Sequence, residues 1–441
     1  MTFLTGWGRT SPTPATLVAP RTVAELAALV AGSPPRGLIA RGLGRAYGDA
    51  AQNAGGLVAD LTRLEPGWSL DPATGVVTAS GGTSLHDLMT GLVPKGWFVP
   101  VTPGTRHVTV GGAVAADVHG KNHHLDSSFG AHLRSLTLLT ADGTTRVLTP
   151  SDETFWATVG GMGLTGVVVE ASFGCVPIET SRVRVEVTRT RDLDHTLEVM
   201  AATDDGHRYT VAWVDLLARG ARTGRGVLTR GDHARRDEIP RARDPLAFAP
   251  AARVAAPPWA PNGLLNRATV RAFNQAWYAK ARERRVIQDI APFFHPLDFM
   301  EGWNRMYGPR GFVQYQFAVP FGAEDVLRRV VSRLSADGVV SFVPVLKRFG
   351  PGTPGMLSFP LPGWTLALDV PAGLPGLARL LRVFDTWVAE AGGRLYLAKD
   401  SRMRAELLPV MYPRLAEWAR IRQSLDPEGI FRSDLARRLG L

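Results

Sequence analysis

Three glycine-rich segments of this 441-residue chain carry residue types that could bind a pyrophosphate. They are residues 41–49 (RGLGRAYGD), residues 103–124 and residues 160–167 (GGMGLTGV), and they lie about 60 residues apart. Glycine tolerates positive φ and close backbone approach, so successive N–H groups can surround phosphate oxygens. The repetition and order of the segments predict a cofactor site rather than three ordinary turns.

Two common nucleotide-binding patterns fit these segments poorly. The glycines at positions 42, 44 and 48 miss the spacing G-x-G-x-x-G by one residue, and Gly55-Gly56 follows too soon for the long helix of a Rossmann unit. The phosphate-loop pattern G-x-x-x-x-G-K-S/T does not occur in the sequence. The sequence therefore disfavours both of these nucleotide-binding folds.

The second segment contains three histidines, His119, His123 and His124, close to Asp117. A metal site would need further carboxylate or cysteine ligands at close spacing, and Asp117 alone does not complete one. The single cysteine, Cys175, rules out an internal disulfide. We expect no metal here, and a tight turn beside the cofactor instead.

Amides and lysines near the C-terminal half could bind a polar substrate. Gln314 and Gln316 share one face of a predicted strand over residues 312–319, which suits a sugar with several hydroxyls or a face turned to solvent. Lys347 would place a positive charge near an anionic group. Lys399, in the stretch YLAKD, is either a surface lysine or a functional one.

The composition indicates a globular chain with more than one lobe or one large composite domain. Hydrophobic residues make up 45% and charged residues 20%, and the net charge is +10. This charge favours anionic partners such as phosphate groups or an acidic lipid surface, or it is a basic surface without a function. Arginine is spread along the whole chain and no nucleic-acid-binding module occurs, so nucleic acid is the weaker option.

The sequence contains neither a long apolar run nor a secretory signal, so we expect a cytoplasmic or peripheral membrane protein, with the periplasmic side left open.

Helices and strands, which the sequence also predicts, must position these candidate residues. Capping residues predict helices from Thr22 through Val30 and after Ser84, and Thr149-Pro150 predicts a further helix start. Alternation of Val183, Val185 and Val187 with charged residues predicts a half-buried strand. Further strands are predicted at residues 312–319, 339–347 and 364–370, and a strand bearing Tyr396 and Lys399 is expected after Gly393.

The chain divides into three predicted parts, namely residues 1–178, 179–393 and 394–441. Between the strands of the middle part, residues 234–261 are rich in Arg, Ala and Pro and predict a long, mobile loop. The next segment predicts a helix with Val270, Phe273 and Trp277 on one side. This region could touch a membrane or pack on the protein, and its basic residues are Arg267, Arg271, Lys280, Arg282, Arg284 and Arg285.

The glycine-rich segments, together with FVQYQF, GGRLYLAKDS and DPEGIFRSDLARRL, resemble flavoproteins of the vanillyl-alcohol-oxidase type. The similarity covers nearly the whole chain, is weakest across residues 190–300, and is greatest to the branch that oxidises polyprenylphosphoryl-ribose. The resemblance implies an α+β fold. It would have a two-lobed FAD-binding domain, a substrate domain built on an antiparallel sheet with flanking helices, and a C-terminal segment that returns to the FAD-binding domain.

By the same resemblance, the cofactor is FAD. Many relatives link FAD covalently to a histidine in a GxGHS-like motif, and this chain has Arg45 at that position, so we expect non-covalent FAD. The residues expected to bind it are Arg41, Gly42, Leu43, Gly44, Arg45, Ala46, Tyr47, Gly104, Thr105, Gly111, Gly112, Ala113, Asp117, Gly120, Asn122, His123, Gly163, Thr165, Val167 and Tyr396.

The implied reaction is oxidation of the ribose 2′-hydroxyl to a keto group, which is the first half of a 2′-epimerisation for cell-wall arabinan. An NADH-dependent keto-reductase would complete it. Lys399 would anchor the hydroxyl or accept its proton, with His119 and Tyr47 beside it. The substrate would be bound by Gln314, Gln316, Lys347 and Tyr396. The alternatives are an oxidase of soluble alditols or sugar lactones and a flavin-binding protein without catalysis.

One position departs from mycobacterial members of this branch. Those members have a cysteine in the strand after Pro-Gly-Trp, and nitro-aromatic inhibitors attack it. The matching position here is Ala367, so we expect insensitivity to such inhibitors. Cys175 lies elsewhere and is expected to be a small buried hydrophobe.

Overall fold

The computed structural model describes residues 1–65, 67–241 and 243–441. The N-terminal part folds into a four-stranded sheet of order β1-β2-β4-β3, in which β1 is antiparallel to β2 and the other pairs are parallel. Helix α1 begins where predicted, because the Thr22 hydroxyl accepts a hydrogen bond from the Glu25 N–H. The elements are β1 (Thr2–Leu4), β2 (Thr13–Val18), α1 (Val23–Ala31), β3 (Leu38–Arg41) and β4 (Leu57–Asp60).

The next part forms a five-stranded antiparallel sheet of order β5-β6-β10-β8-β9, and the short strands β7 and β11 pair separately. Its elements are β5 (Trp68–Asp71), β6 (Val76–Ser80), α2 (Leu85–Leu92), β7 (Trp97–Phe98), α3 (Val110–Ala115), α4 (His123–Asp126), β8 (Leu133–Leu139), β9 (Thr145–Leu148), α5 (Glu153–Thr158), β10 (Val167–Gly174) and β11 (Val176–Pro177). The helix start predicted at Thr149-Pro150 is wrong. Asp152 is the N-cap of α5, and its carboxylate accepts a hydrogen bond from the Thr149 N–H (2.7 Å).

The middle part is built on an eight-stranded antiparallel sheet of order β16-β12-β14-β13-β19-β20-β18-β21, with helices packed against it. Its elements are β12 (Arg182–Thr190), α6 (Leu193–Thr203), β13 (Tyr209–Val214), β14 (Gly226–His233), β15 (Val254–Ala255), α7 (Arg267–Lys280), β16 (Arg284–Asp289), α8 (Ile290–Phe294), β17 (Met300–Glu301), β18 (Phe312–Pro320), α9 (Glu324–Asp337), β19 (Val345–Phe349), β20 (Gly363–Pro371), α10 (Leu377–Glu390) and β21 (Arg394–Leu395).

The strand predicted over residues 339–347 is shorter than expected. Val343 has a φ of +56°, which a β-branched residue rarely adopts, and Pro344 has no N–H to donate to a neighbouring strand. The chain therefore joins the sheet only at Val345. The strands predicted at 312–319 and 364–370 are confirmed as β18 and β20.

The Ala/Pro-rich segment 234–261 holds little regular structure apart from β15, which pairs in parallel with β17, and residue 242 lies outside the described residues. The following helix, α7, is confirmed, but two residues of its predicted apolar side pack on the protein. Val270 is buried, and the Phe273 ring lies 4.9 Å from Phe342. Trp277 remains 44% exposed.

The C-terminal part returns to the first sheet through α11 (Leu408–Met411), α12 (Leu415–Leu425) and α13 (Asp434–Leu439). The Leu38 N–H donates to the Ile430 carbonyl at 2.8 Å. The strand predicted to carry Tyr396 and Lys399 ends at Leu395, because the N–H groups of Lys399 and Asp400 bend back to the Tyr396 carbonyl. Across the described residues, no helix combines the length and apolar character needed to span a membrane.

Candidate active site

The three glycine-rich segments meet around α3. A Cβ at Gly42 would lie 2.3 Å from the Thr109 hydroxyl oxygen, so only glycine lets the first segment pack on the N-cap of α3. Gly160 and Met162, of the third segment, donate their N–H groups to carbonyls in the last turn of α3 at 3.0 and 2.9 Å. Segments distant in sequence thus share one centre around α3.

The first glycine-rich segment also contacts the C-terminal part. The Tyr47 N–H donates to the Ala398 carbonyl at 2.9 Å. A Cβ at Gly48 would lie 1.8 Å from the Asp400 carbonyl oxygen, which explains glycine at that position. Lys399, between these two contacts, is therefore held directly beside Tyr47.

The two arginines of this segment have different environments. Arg41 donates to the carbonyls of Ala51 (3.0 Å) and Thr5 (2.8 Å), so its guanidinium is engaged by the protein. The Arg45 guanidinium stacks on the Trp7 ring at 3.8 Å, and its Nε is buried without a hydrogen-bond partner among the described residues. Trp7 is a contact that the sequence did not predict.

Other residues predicted to bind FAD on the glycine-rich segments are either open to solvent or packed against the protein. A Cβ at Gly104 would meet no atom within 4 Å, and Leu43 is 38% exposed. Thr165 is buried against the Thr158 hydroxyl at 3.0 Å, and Val167 belongs to an apolar core. The side chains of Thr165 and Val167 therefore face the protein, which leaves only their backbone for a cofactor.

The carboxylate of Asp117 is taken up by the protein itself. It accepts hydrogen bonds from the hydroxyls of Ser128 (2.7 Å), Thr353 (2.6 Å) and Ser358, and from the Gly130 N–H (2.8 Å). Thr353 and Ser358 lie between β19 and β20. Asp117 thus ties the second glycine-rich segment to the segment between β19 and β20, and its carboxylate is engaged there, so a place for Asp117 in the cofactor site would rest on its backbone.

His119 contacts the substrate-side strands. Its Nε2 accepts a hydrogen bond from the Gln316 amide at 3.0 Å, and the same amide lies 3.3 Å from the Thr365 hydroxyl. Burial, followed by the nearby charge of Lys347, holds the pKa of His119 well below its usual value. The ring is therefore neutral, and its Nδ1 is buried without a partner in the described part of the chain.

His123 and Asn122 lie in the same turn but have different hydrogen-bonding environments. Both ring nitrogens of His123 are buried and without partners among the described residues, its ring lies 4.3 Å from Phe349, and burial lowers its pKa to about 3. The Asn122 amide donates to the Pro100 carbonyl at 2.9 Å, so it shapes the turn. His124 points elsewhere, with its Nε2 at 3.0 Å from the Asp204 carbonyl.

Lys399 belongs to a polar group that includes one residue the sequence analysis missed. Its Nζ lies 3.8 Å from the centre of the Tyr47 ring. The Gln314 amide donates to Asp369 Oδ1 at 2.6 Å, and these two residues are directly opposite on β18 and β20. Burial raises the pKa of Asp369 and lowers the pKa of Lys399, while their mutual attraction opposes both shifts. Side chains alternate between the two faces of a strand. Asp369, two residues after Ala367, could therefore have been placed on the same face from the sequence.

Lysine is rare in this chain, with five residues against 45 arginines, and three of the five lie in this region. Burial lowers the pKa of Lys347 to about 8. Burial and the charge of Lys347 lower the pKa of Lys121 to about 7, and the Lys121 ammonium donates to the Phe293 carbonyl. Lys121 was not predicted, although its place beside the histidine cluster was a signal.

Tyr396 and Ala367 complete the site. The Tyr396 hydroxyl donates to the Ala116 carbonyl at 2.8 Å, and its ring stacks on Phe359 at 4.7 Å. Ala367 lies opposite Gln316 on the neighbouring strand. The site thus presents backbone from three glycine-rich segments on one side, and amides and lysines from β18, β19 and the turn after β21 on the other.

These residues fit a flavin cofactor. Buried polar atoms normally have hydrogen-bond partners. His119 Nδ1, both nitrogens of His123 and Arg45 Nε lack them among the described residues, so a polar group that the chain does not supply would satisfy them. The close glycine contacts around α3 leave backbone, rather than side chains, to line this side of the site.

Comparison with known proteins agrees with this geometry. Residues 14–149 match the FAD binding domain family, and residues 309–439 match the D-arabinono-1,4-lactone oxidase family. The chain is 44% identical to decaprenylphosphoryl-beta-D-ribose oxidase of Mycolicibacterium smegmatis over 99% of this chain and 97% of that protein.

Two other relatives are more distant. L-gulono-1,4-lactone dehydrogenase of Mycobacterium tuberculosis is 26% identical over 97% of this chain and 96% of its own length. An alditol oxidase of a Streptomyces species is 28% identical over 40% of this chain and 42% of its own length. The glycine-rich centre, the FAD-domain match and the full-length similarity agree, and the chain therefore belongs to the decaprenylphosphoryl-β-D-ribose oxidase family of FAD-dependent oxidoreductases.

Proposed function

We propose that this protein oxidises the ribose 2′-hydroxyl of a polyprenylphosphoryl-β-D-ribose to the 2′-keto sugar, as the first half of a 2′-epimerisation for cell-wall arabinan. The observation that carries this proposal is the meeting of Lys399, Tyr47, Gln316 and His119 at the glycine-rich centre. The relative at 44% identity is named for that substrate. A separate NADH-dependent keto-reductase would complete the epimerisation.

The chain's residues take distinct roles in this proposal. When bound, FAD supplies the hydride acceptor. Lys399 holds the oxygen of the reacting hydroxyl or takes its proton, and Tyr47 fixes the lysine by cation–π contact. Gln314, Gln316 and Tyr396 border the sugar. Since Lys347 keeps a pKa of about 8, it is mostly charged at neutral pH and can bind the substrate phosphate.

We propose that FAD is bound non-covalently. Arg45 occupies the position at which relatives carry a linking histidine, and a guanidinium does not form that bond. Its stacking on Trp7 at 3.8 Å gives the side chain a different role, as a fixed positive group at the site.

We further propose that the domains follow the sheets. Residues 1–178 would form a two-lobed FAD-binding domain from the first two sheets, and residues 179–393 a substrate domain on the eight-stranded sheet. Residues 394–441 would return to the FAD-binding domain. The support is that Asp117 and Tyr396 form hydrogen bonds between these parts.

An anaerobic reduction experiment tests the function. Purified protein is mixed with farnesylphosphoryl-β-D-ribose without oxygen, and loss of the oxidised flavin absorbance is followed. We expect rapid loss. The match of residues 309–439 to a lactone oxidase family supports a second candidate, an oxidase of a soluble alditol or sugar lactone. Bleaching by such a soluble compound, with none by the prenyl-linked ribose, would favour the second candidate.

A peripheral membrane contact is the fourth part of the proposal. Trp259 is 78% exposed, Phe299 47% and Trp277 44%, all within one region of the chain. Arg271 and Lys280 on α7 are exposed, whereas Arg267 is engaged by the Gly338 carbonyl at 2.7 Å. Exposed tryptophans with basic residues suit an anionic lipid surface, at about 1 kcal/mol for each basic residue.

Vesicle co-sedimentation tests the membrane contact. We expect the protein to bind anionic vesicles at low salt and to leave them at high salt. Arg271→Glu with Lys280→Glu should weaken binding, while Lys95→Glu, an exposed lysine of the second part, should not. Equal binding by the double variant and the wild type would remove α7 from the contact.

A further inference from the structure

Asp369 is held by Gln314, one of the residues that border the sugar in the proposed function. Gln314 donates to its Oδ1 at 2.6 Å, and burial followed by the charge of Asp369 raises the pKa of Tyr47. The Tyr307 hydroxyl is buried without a partner among the described residues. Its pKa is raised by burial and then by the charges of Asp369 and Tyr47. Gln314, which holds Asp369, lines the same cavity as Lys399.

Two other charged residues near Lys399 are Lys347 and Asp400. A charged Lys347 disfavours the ammonium of Lys399, whereas the charge of Asp369 favours it. Asp400, the next residue in sequence, is paired with Arg438 at 2.8 Å and accepts the Met403 N–H at 2.8 Å. Among the described residues, Asp369 is the carboxylate whose charge raises the pKa of Lys399 against the effect of burial.

Resting on the function proposed above, we propose that Asp369, held by Gln314 beside the cavity that Lys399 lines, is a positioning residue that sets the proton affinity of Lys399. An opposite charge nearby favours the ammonium form, so loss of the carboxylate leaves Lys399 neutral over more of the pH range. The register of β18 against β20, which places Gln314 opposite Asp369, is what fixes this carboxylate.

The scarcity of lysine makes the inference measurable. Five lysines give five signals in a protein labelled with ¹³C at the lysine ε-carbon, and the shift of each signal reports its protonation. Lys347 is a matched internal control, because burial is the cause of its lowered pKa. The titration is carried out on the FAD-loaded protein without substrate, so it does not depend on the identity of that substrate.

The decisive comparison is wild type against Asp369→Asn. We expect the titration midpoint of Lys399 to fall by at least about one pH unit, a tenfold loss of proton affinity, while that of Lys347 stays within about 0.3 units. Asp369→Glu should restore most of the shift. An unchanged Lys399 midpoint in Asp369→Asn, or an equal fall for Lys347, overturns the proposal.

A kinetic readout separates positioning from simple folding. The pH profile of flavin reduction should move towards lower pH in Asp369→Asn by the same amount as the Lys399 midpoint. If Asp369→Asn does not retain FAD, Asp369→Ser serves as the uncharged variant under the same criteria. Failure of the ribose substrate to reduce the flavin would refute the proposed function and leave the titration result standing.

Discussion

Replacing Lys399 by methionine is the most direct test of the proposed chemistry. The change keeps most of the side-chain bulk over the Tyr47 ring, 3.8 Å from the present ammonium, and removes the charge and the donors. A hydrogen bond from a charged group to the substrate hydroxyl is worth about 1.5–3 kcal/mol. At about 1.4 kcal/mol for each factor of ten, an anchoring role predicts a loss of roughly 10- to 150-fold in flavin reduction.

A role as proton acceptor predicts a larger loss. General acid–base catalysis contributes about 10²- to 10⁴-fold, so a loss well above about 150-fold indicates that Lys399 accepts the proton. The assay is anaerobic stopped-flow reduction with farnesylphosphoryl-β-D-ribose, and Lys280→Met, at an exposed position on α7, is the control. A Lys399→Met variant that keeps its FAD and reduces it within threefold of the wild-type rate would refute the reasoning.

Three further predictions rest on single residues. Acid precipitation should leave a colourless pellet and a yellow supernatant, because Arg45 does not link FAD; a yellow pellet would contradict this. The wild-type protein should resist covalent nitro-aromatic inactivation and Ala367→Cys should become sensitive, as followed by mass spectrometry; an adduct on the unmodified protein would show that the strand register is misassigned. Asp117→Ala should lower the urea midpoint of unfolding by more than Thr353→Val does. Asp117→Ala removes four hydrogen bonds to the carboxylate, whereas Thr353→Val removes one of them, and each is worth about 1.5–3 kcal/mol.

The sequence predicted the parts of the site that depend on local rules. Gly42 and Gly48 are close-contact glycines because neighbouring atoms leave no room for a Cβ. Gln316 and its strand were found by the period of two. The capping signals at Thr22 and Ser84 are both confirmed, since each depends on residues within one turn.

The errors and omissions come from long-range contacts. Asp117 was predicted to bind the cofactor, but the hydroxyl partners of its carboxylate, Thr353 and Ser358, lie more than 230 residues away and could not be paired from sequence. Asp369 was missed because its partner, Gln314, is 55 residues distant. The shortened strand before Val345 reflects a backbone angle at Val343 that local propensity does not predict.

The distribution of the five lysines has a practical consequence for handling the protein. Lys121, Lys347 and Lys399 lie within the site, whereas Lys95 and Lys280 are exposed. Amine-reactive dyes and resins should therefore couple mainly through the α-amino group of Met1 and two exposed lysine side chains, Lys95 and Lys280, the second at the end of α7. A lysine-specific protease should likewise nick the native fold at only those two places, which gives a simple assay of whether a variant is correctly folded.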